Sequence, residues 1–184
     1  MIEVHSLKQL NPADLSRVAS GYSSPGKYLP TYTDSENGTS ITLQFVPLKE
    51  LYVKKYDPYD LDTLQRYDHA LNMGHSFGAY DQGVLVGLLL AEPYEWNRSL
   101  WVHEFHVAET HRNMGIGKRL MECAVESAKS TGLRIIVCET QNTNAIAIQV
   151  YRNLAFVLKE LIFPTTQMLI IPMAQIAIFM KRRL

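Results

Sequence analysis

Two glycines, Gly115 and Gly117, stand where a helix pattern begins, in the stretch HRNMGIGKRL of residues 111–120. Glycine weakens a helix, so a glycine at a helix start marks backbone that must come close to a neighbour, either a packing partner or an anion. The pattern that follows is strong. Ile116, Leu120, Ala124 and Ala128 recur every four residues, and Met121 and Val125 widen the stripe. This spacing predicts an amphipathic helix from Gly115 or Ile116 to about Ser130, packed on a sheet. After Gly132, Leu133 to Cys138 is a near-continuous apolar run, the mark of a strand buried on both faces.

The other elements alternate in a similar way. Ile2 to His5 predicts a first strand, and Asn11 with Pro12 opens a helix through Val18. The stretch GYSSPGKYLPTYTDSENGTS, residues 21–40, is rich in Gly, Pro, Ser and Thr and predicts a loop. Its tyrosines either pin that loop or line a pocket. Ile41, Leu43 and Phe45 share one side of a predicted strand over 40–48. Residues 57–72 predict a helical region with an acidic start and with Leu61, Leu64, Ala70 and Leu71 buried. Strands over 76–80 and 84–92 flank Asp81-Gln82-Gly83, a hairpin signal. A turn over 93–97 leads to a central strand over 100–107. A helix over 142–154, a strand over 156–163 and a last strand over 176–180 complete the chain. The terminal KRRL reads as a solvated end. The expectation is an α/β fold with a mixed sheet.

Bulk properties narrow the classes. At 184 residues the chain suits one domain, 1–184, and its 47% hydrophobic content supplies a sizeable core. Eighteen basic residues balance eighteen acidic ones, which argues against a nucleic-acid binder. Cys123 and Cys138 fall in a helix and a buried strand and form no disulfide framework or zinc cluster. His103 and His106, three apart on one strand, should face opposite ways, so no metal site is expected. The N-terminus shows no leader pattern. The apolar stretch from Met168 to Met180 is too short to span a membrane and holds Pro172 and Gln175. These features give the expectation of a soluble, cytoplasmic protein.

The glycine stretch fails two phosphate-binding patterns. A P-loop needs a hydroxyl after Gly-Lys, but Arg119 follows Lys118, and Arg112 stands at the first glycine position. A dinucleotide fingerprint lacks its first glycine. What remains is Arg112-x-x-Gly115-x-Gly117 before an amphipathic helix, which resembles the pyrophosphate loop of the GNAT acetyltransferases. The residues suit that role. Backbone N–H groups from Met114 to Lys118 can face an anion at the helix start, and Arg112 and Lys118 carry charge. A second stretch, NAIAIQVYRNLAF, resembles the family's later helix through Asn144, Ala147, Tyr151 and Phe156, with Ala155 where the family has glycine. Within the family, WNR at 96–98, GIGKRLM at 115–121, CETQNTN at 138–144 and GKYLPTY at 26–32 resemble the streptothricin (nourseothricin) acetyltransferases. Residues 102–107 and 164–175 depart more from them.

The resemblance implies a mostly antiparallel, twisted sheet with helices on both faces, acetyl-CoA as cofactor, and acetyl transfer to a primary amine of a small cationic molecule. It implies cofactor contacts at Phe105, His106 and Val107, at Arg112, Asn113, Met114, Gly115, Ile116, Gly117 and Lys118, and at Asn144, Ala147 and Tyr151. Tyr151 is the expected proton donor to the leaving thiolate, or else a core tyrosine packed on the sheet. Glu104 is the expected path for the amine's proton, through water, or else a strand carboxylate in a surface ion pair. His106 and His111 are alternative proton carriers. Glu139 either binds a cationic acceptor with Glu104 or caps the helix near Asn142. Tyr28, Tyr32, Glu92 and Trp96 are weaker candidates for the acceptor wall, and Trp96 and Tyr94 are equally read as loop anchors. Two other readings stay open: a protein or polyamine acetyltransferase, and an acyl-CoA-binding module without turnover. Family members often dimerise, and the apolar C-terminal segment offers a homodimer seam.

Overall fold

The computed structural model describes residues 1–57, 61–162 and 176–184. The elements run in chain order as β1 (Ile2–Ser6), α1 (Pro12–Val18), β2 (Gly21–Ser35), β3 (Gly38–Lys55), α2 (Leu61–Asn72), β4 (Phe77–Asp81), β5 (Val84–Tyr94), β6 (Ser99–Val107), α3 (Ile116–Ser130), β7 (Ile135–Gln141), α4 (Ala145–Asn153), β8 (Val157–Ile162) and β9 (Ala177–Arg183). By their contacts the residues fall into two compact units. The first comprises Met1–Gly21, Lys55–Cys138 and Lys181–Leu184, and the second Tyr22–Lys54 and Glu139–Met180.

In the first unit the strands lie in the order β1-β4-β5-β6-β7. The first three pairings are antiparallel and the last, β6 with β7, is parallel. The sheet is therefore mixed and mostly antiparallel. Its faces are assigned by a bulge. Ala79 pairs with Gly87 but Tyr80 pairs with Leu85, so Val86 is an extra residue on β5. An extra residue resets the two-residue alternation of a strand. Leu85, Leu88 and Leu90 thus share a face, and they cluster with Leu15 and Val18 of α1 and with Leu64, Ala70 and Leu71 of α2. The other face belongs to α3. A Cβ added at Gly87 would meet Ile116 Cγ2 at 3.0 Å and Leu120 Cδ1 at 3.3 Å. Helices cover both faces, and all six residues of the α3 stripe are buried.

Local signals explain the ends of these elements. Asn11 caps α1 by accepting the Asp14 N–H at 2.8 Å, with Pro12 in the first turn. The basic tail is not the solvated end its charges suggest. Strand β9 continues through Arg183, and the Leu184 N–H donates to the Arg134 carbonyl at 2.9 Å. Backbone pairing, indifferent to side-chain charge, holds it.

His75, before β4, is 5% exposed, and its Nδ1 lies 2.9 Å from Ser127 Oγ on α3. Burial lowers its pKa from the ordinary value of 6.5. The unfolded chain then binds a proton, below about pH 6.5, that the folded chain resists. Stability attributable to His75 is complete above that pH and is lost as the pH falls through the lower folded value. Urea melts between pH 5 and pH 8 should show a steeper acid loss for the native protein than for His75→Gln.

In the second unit β2 and β3 form a separate two-stranded ribbon. Residues 21–40 are thus not a loop, contrary to their Gly and Pro content. Tyr and Thr favour the pleated backbone, and the chain reverses over residues 36–37, just before Gly38, whose φ is +154°. The strand expected over 40–48 extends to Lys55. Helix α4 is capped by Asn144, whose side chain accepts the Ala147 N–H at 3.1 Å. At its other end Ala155 takes φ +64°, and the Phe156 N–H donates to the Tyr151 carbonyl at 2.9 Å. The family's glycine position therefore keeps its left-handed turn without a glycine. That conformation costs a non-glycine residue about 1–2 kcal/mol, against about 0.4–1 kcal/mol of extra unfolded-chain entropy for glycine. Ala155→Gly should raise the unfolding free energy by about 0.5–1 kcal/mol in denaturant titrations. Residues 58–60, Phe163 and the segment 164–175, with most of the expected dimer seam, lie outside the described residues. No helix among the described residues is long and apolar enough to cross a membrane.

Candidate active site

Strand β6 carries the first group of site residues. Val102 pairs with Ala91, but Glu104 pairs with Leu90, so His103 is an extra residue and β6 bulges there. The bulge corrects the expected placing of the two histidines on opposite faces. His103 Nε2 lies 3.1 Å from Glu92 Oε2, and its ring is 6.2 Å from that of Tyr67 on α2. The Tyr67 hydroxyl donates to Glu104 Oε1 at 2.6 Å, and Glu104 Oε2 lies 2.5 Å from His106 Nε2. Both histidines therefore face the side covered by α2. Phe105 turns the other way, under α3, where a Cβ at Gly117 would come within 3.3 Å of Phe105 Cζ. Gly117 is a packing glycine.

The Glu104 side chain is 11% exposed, and the surface-ion-pair reading of this residue does not hold. Tyr56 sets its ring edge-on to His106, with centroids 5.8 Å apart. Its phenol pKa is raised above 10.0 by burial first and by the Glu104 charge second, with Arg112 opposing. Tyr56 therefore stays protonated at ordinary pH.

The glycine loop presents backbone donors. Gly115 takes φ +76° and nothing lies within 4 Å of where its Cβ would be. Arg119 N–H donates to the Gly115 carbonyl at 3.1 Å, which opens the α3 ladder. The N–H groups of Ile116, Gly117 and Lys118 precede that bond and have no intrahelical acceptor, and no side chain caps this helix end. Asn113, with φ +63°, and the exposed Met114 complete the turn. An anion fits this cradle. Arg112 has a different task. Its guanidinium donates to the carbonyls of Val107 and Gly21, each at 3.2 Å, and braces the loop against the end of β6. Lys118 pairs with Glu122 at 3.7 Å on the surface. His111 points to Asp81 at 3.5 Å, away from the Glu104 group.

In the second unit Tyr151 is 6% exposed on α4, its ring 5.6 Å from Phe156. Asn144 and Ala147, expected at the cofactor, are joined by the capping bond. Since Asn144 caps α4, Glu139 does not, and its side chain is exposed. Tyr28 is buried, with its hydroxyl accepting from Arg152 at 2.9 Å, that guanidinium 4.9 Å from its ring centroid, and Phe45 edge-on at 5.6 Å. It is a packing residue of this unit. Tyr32 is 63% exposed on β2. Tyr22 lies 3.1 Å from Gln141 Oε1 and 2.8 Å from Thr143 Oγ1, and Lys54 donates to Gln141 Oε1 at 2.8 Å.

Trp96, in the first unit, is 83% exposed, so it anchors no loop, whereas Tyr94 packs on Trp101 at 5.8 Å. Tyr67 and Tyr56 escaped the sequence reading. Neither lies in a motif, and each meets β6 only through tertiary packing.

These features define an acyl-transfer type of scaffold: a mixed sheet, a bulged central strand and a glycine cradle at the start of the next helix. The acetyltransferase (GNAT) family model matches residues 45–156, and the chain belongs to that family. Within it, the chain is 36% identical over 74 residues to the streptothricin acetyltransferase of Streptomyces lavendulae, a stretch covering 40% of this chain and 39% of that relative. The chain thus matches about two fifths of that relative's length. The solved nourseothricin acetyltransferase is similar at TM-score 0.73 and 25% identity, over 99% of this chain and 98% of that one. A Bacillus anthracis str. Ames protein, assigned provisionally as a streptothricin acetyltransferase and solved in complex with acetyl coenzyme A, matches at TM-score 0.73 and 21% identity over 100% of both chains. At that identity the likeness is one of fold.

Proposed function

We propose that the chain transfers an acetyl group from acetyl-CoA to a primary amine of a small cationic molecule, with streptothricin as the leading acceptor and antibiotic resistance as the outcome. The observation that carries this reading is the pairing of a nearly buried acid–imidazole group, Glu104 with His106, with an uncapped glycine cradle one loop further along the chain. Acetyl-CoA, when bound, supplies the acetyl group as a reactive thioester. Backbone N–H groups of the 114–118 turn hold its pyrophosphate, and Gly115 keeps that turn open. Strand β6 runs on to Val107, and its last segment, Phe105–Val107, is the part of the chain that holds the thioester end.

The acceptor amine arrives protonated, since an alkyl amine has a pKa near 10. The Glu104 carboxylate supplies the negative charge that draws it in. Tyr151 Oη supplies a proton to the departing sulfur. Purified protein incubated with acetyl-CoA and streptothricin should release free thiol and add the mass of one acetyl group to the antibiotic. Intact acetyl-CoA binding without that product would remove the antibiotic as acceptor and turn attention to polyamines and peptide amines.

A further inference from the structure

We propose that His106 is the group that takes the proton from the acceptor ammonium, through Nδ1, and that Glu104 and Tyr67 are positioning residues which hold it. This rests on the acetyl-transfer reading and names the proton acceptor within it. An ionised carboxylate only accepts hydrogen bonds. Glu104 Oε2 lies 2.5 Å from His106 Nε2, so in the neutral imidazole Nε2 carries the hydrogen and Nδ1 keeps its lone pair. Glu104 Oε1 accepts from the Tyr67 hydroxyl at 2.6 Å. Both carboxylate oxygens are thus committed to donors from two different elements, which locks the carboxylate and, through it, the imidazole.

The chemistry favours the imidazole over the carboxylate. An imidazole is by its chemistry a stronger base than a carboxylate, and so the better match to the proton of an alkyl ammonium. The step balances as follows. The ammonium N–H bond breaks and its proton bonds to Nδ1. The freed nitrogen lone pair forms the C–N bond to the acetyl carbon of the thioester. The C–S bond breaks with its electron pair on sulfur, and a second N–H bond of the acylated nitrogen breaks, its proton balancing the one the sulfur takes, so that a neutral amide and a free thiol result. Among the described residues, the titratable and charged groups on the imidazole's side of β6 include Glu104, Tyr67 on α2 with His103 beside it, Tyr56 ahead of α2, and Arg112, whose charge reaches Tyr56. Tyr56 keeps its proton and does not compete as a base.

The test compares two acceptors: an alkyl amine, protonated at neutral pH, and an amine of low pKa that is already neutral. His106→Gln should lower kcat/KM for the alkyl amine by about 10²–10³-fold, remove the acid limb of its pH profile and cost the neutral amine far less. Acetyl-CoA affinity, measured by calorimetry, should stay close to that of the native protein, because strand β6 holds the thioester end through its backbone and not through the imidazole. In the protein without acetyl-CoA, nitrogen NMR should show the Nε2–H tautomer of His106, and Glu104→Gln should alter it. An equal loss for both amines, an Nδ1–H tautomer, or wild-type kinetics in His106→Gln would overturn the assignment. Failure of the native protein to acetylate either amine would instead sink the transfer reading, and this proposal with it.

Discussion

Tyr151→Phe should lower kcat by about 10²–10³-fold, within the range for losing a positioned general acid, while the protein remains folded. The ring is 6% exposed and packs 5.6 Å from Phe156 at the end of α4. Phenylalanine keeps that ring and removes only the hydroxyl. The two readings of this tyrosine therefore separate cleanly. A proton donor to the leaving sulfur loses turnover, with acetyl-CoA affinity and the melting midpoint little changed. A core tyrosine loses stability instead. Steady-state kinetics with a parallel urea melt decide between them, and an unchanged kcat would reduce Tyr151 to packing.

Gly26→Ala should destabilise the second unit at the upper end of the about 1–3 kcal/mol typical of overpacking. A Cβ at residue 26 would lie 2.3 Å from Phe45 Cζ and 2.6 Å from the Val46 carbonyl oxygen. The ring could swing, but the carbonyl belongs to the β3 backbone and cannot give way without separating β2 from β3. Phe45 in turn sits edge-on to Tyr28, so the disturbance spreads into buried packing. Denaturant titration reads the effect directly. A loss below about 0.5 kcal/mol, ordinary for a surface change, would mean the ribbon is not held at this distance. The glycine of the GKYLPTY stretch is thus explained by close approach of backbone.

Much of the frame was legible in the sequence because it depends on short-range rules. The four-residue repeat of Ile116, Leu120, Ala124 and Ala128 dictates one buried face of a helix, whatever lies beneath it. Gly115 marks a left-handed turn that other residues adopt at a cost, and Asp81-Gln82-Gly83 closes a hairpin by local geometry. Asn11 and Pro12 start a helix through bonds made within one turn. Where the sequence misled, a long-range effect overrode composition. Gly and Pro in 21–40 suggested a loop, but cross-strand partners made a strand of it. The charges of KRRL suggested a solvated end, but backbone pairing took up that stretch.

The candidate site divides along the same line. The sequence put forward the glycine cradle by its spacing, and Glu104 and Tyr151 through the resemblance to the family. Only the tertiary structure decided what Glu104 touches. The extra residue at His103 cannot be read from β6 itself, because a bulge is defined by the partner strand. That extra residue turns Glu104 and His106 together toward α2, where Tyr67, 37 residues earlier in the chain, meets the carboxylate. A hydrogen bond across such a separation leaves no periodicity in the sequence. It exists because α2 packs on the face that the two bulges, at Val86 and at His103, have turned toward it.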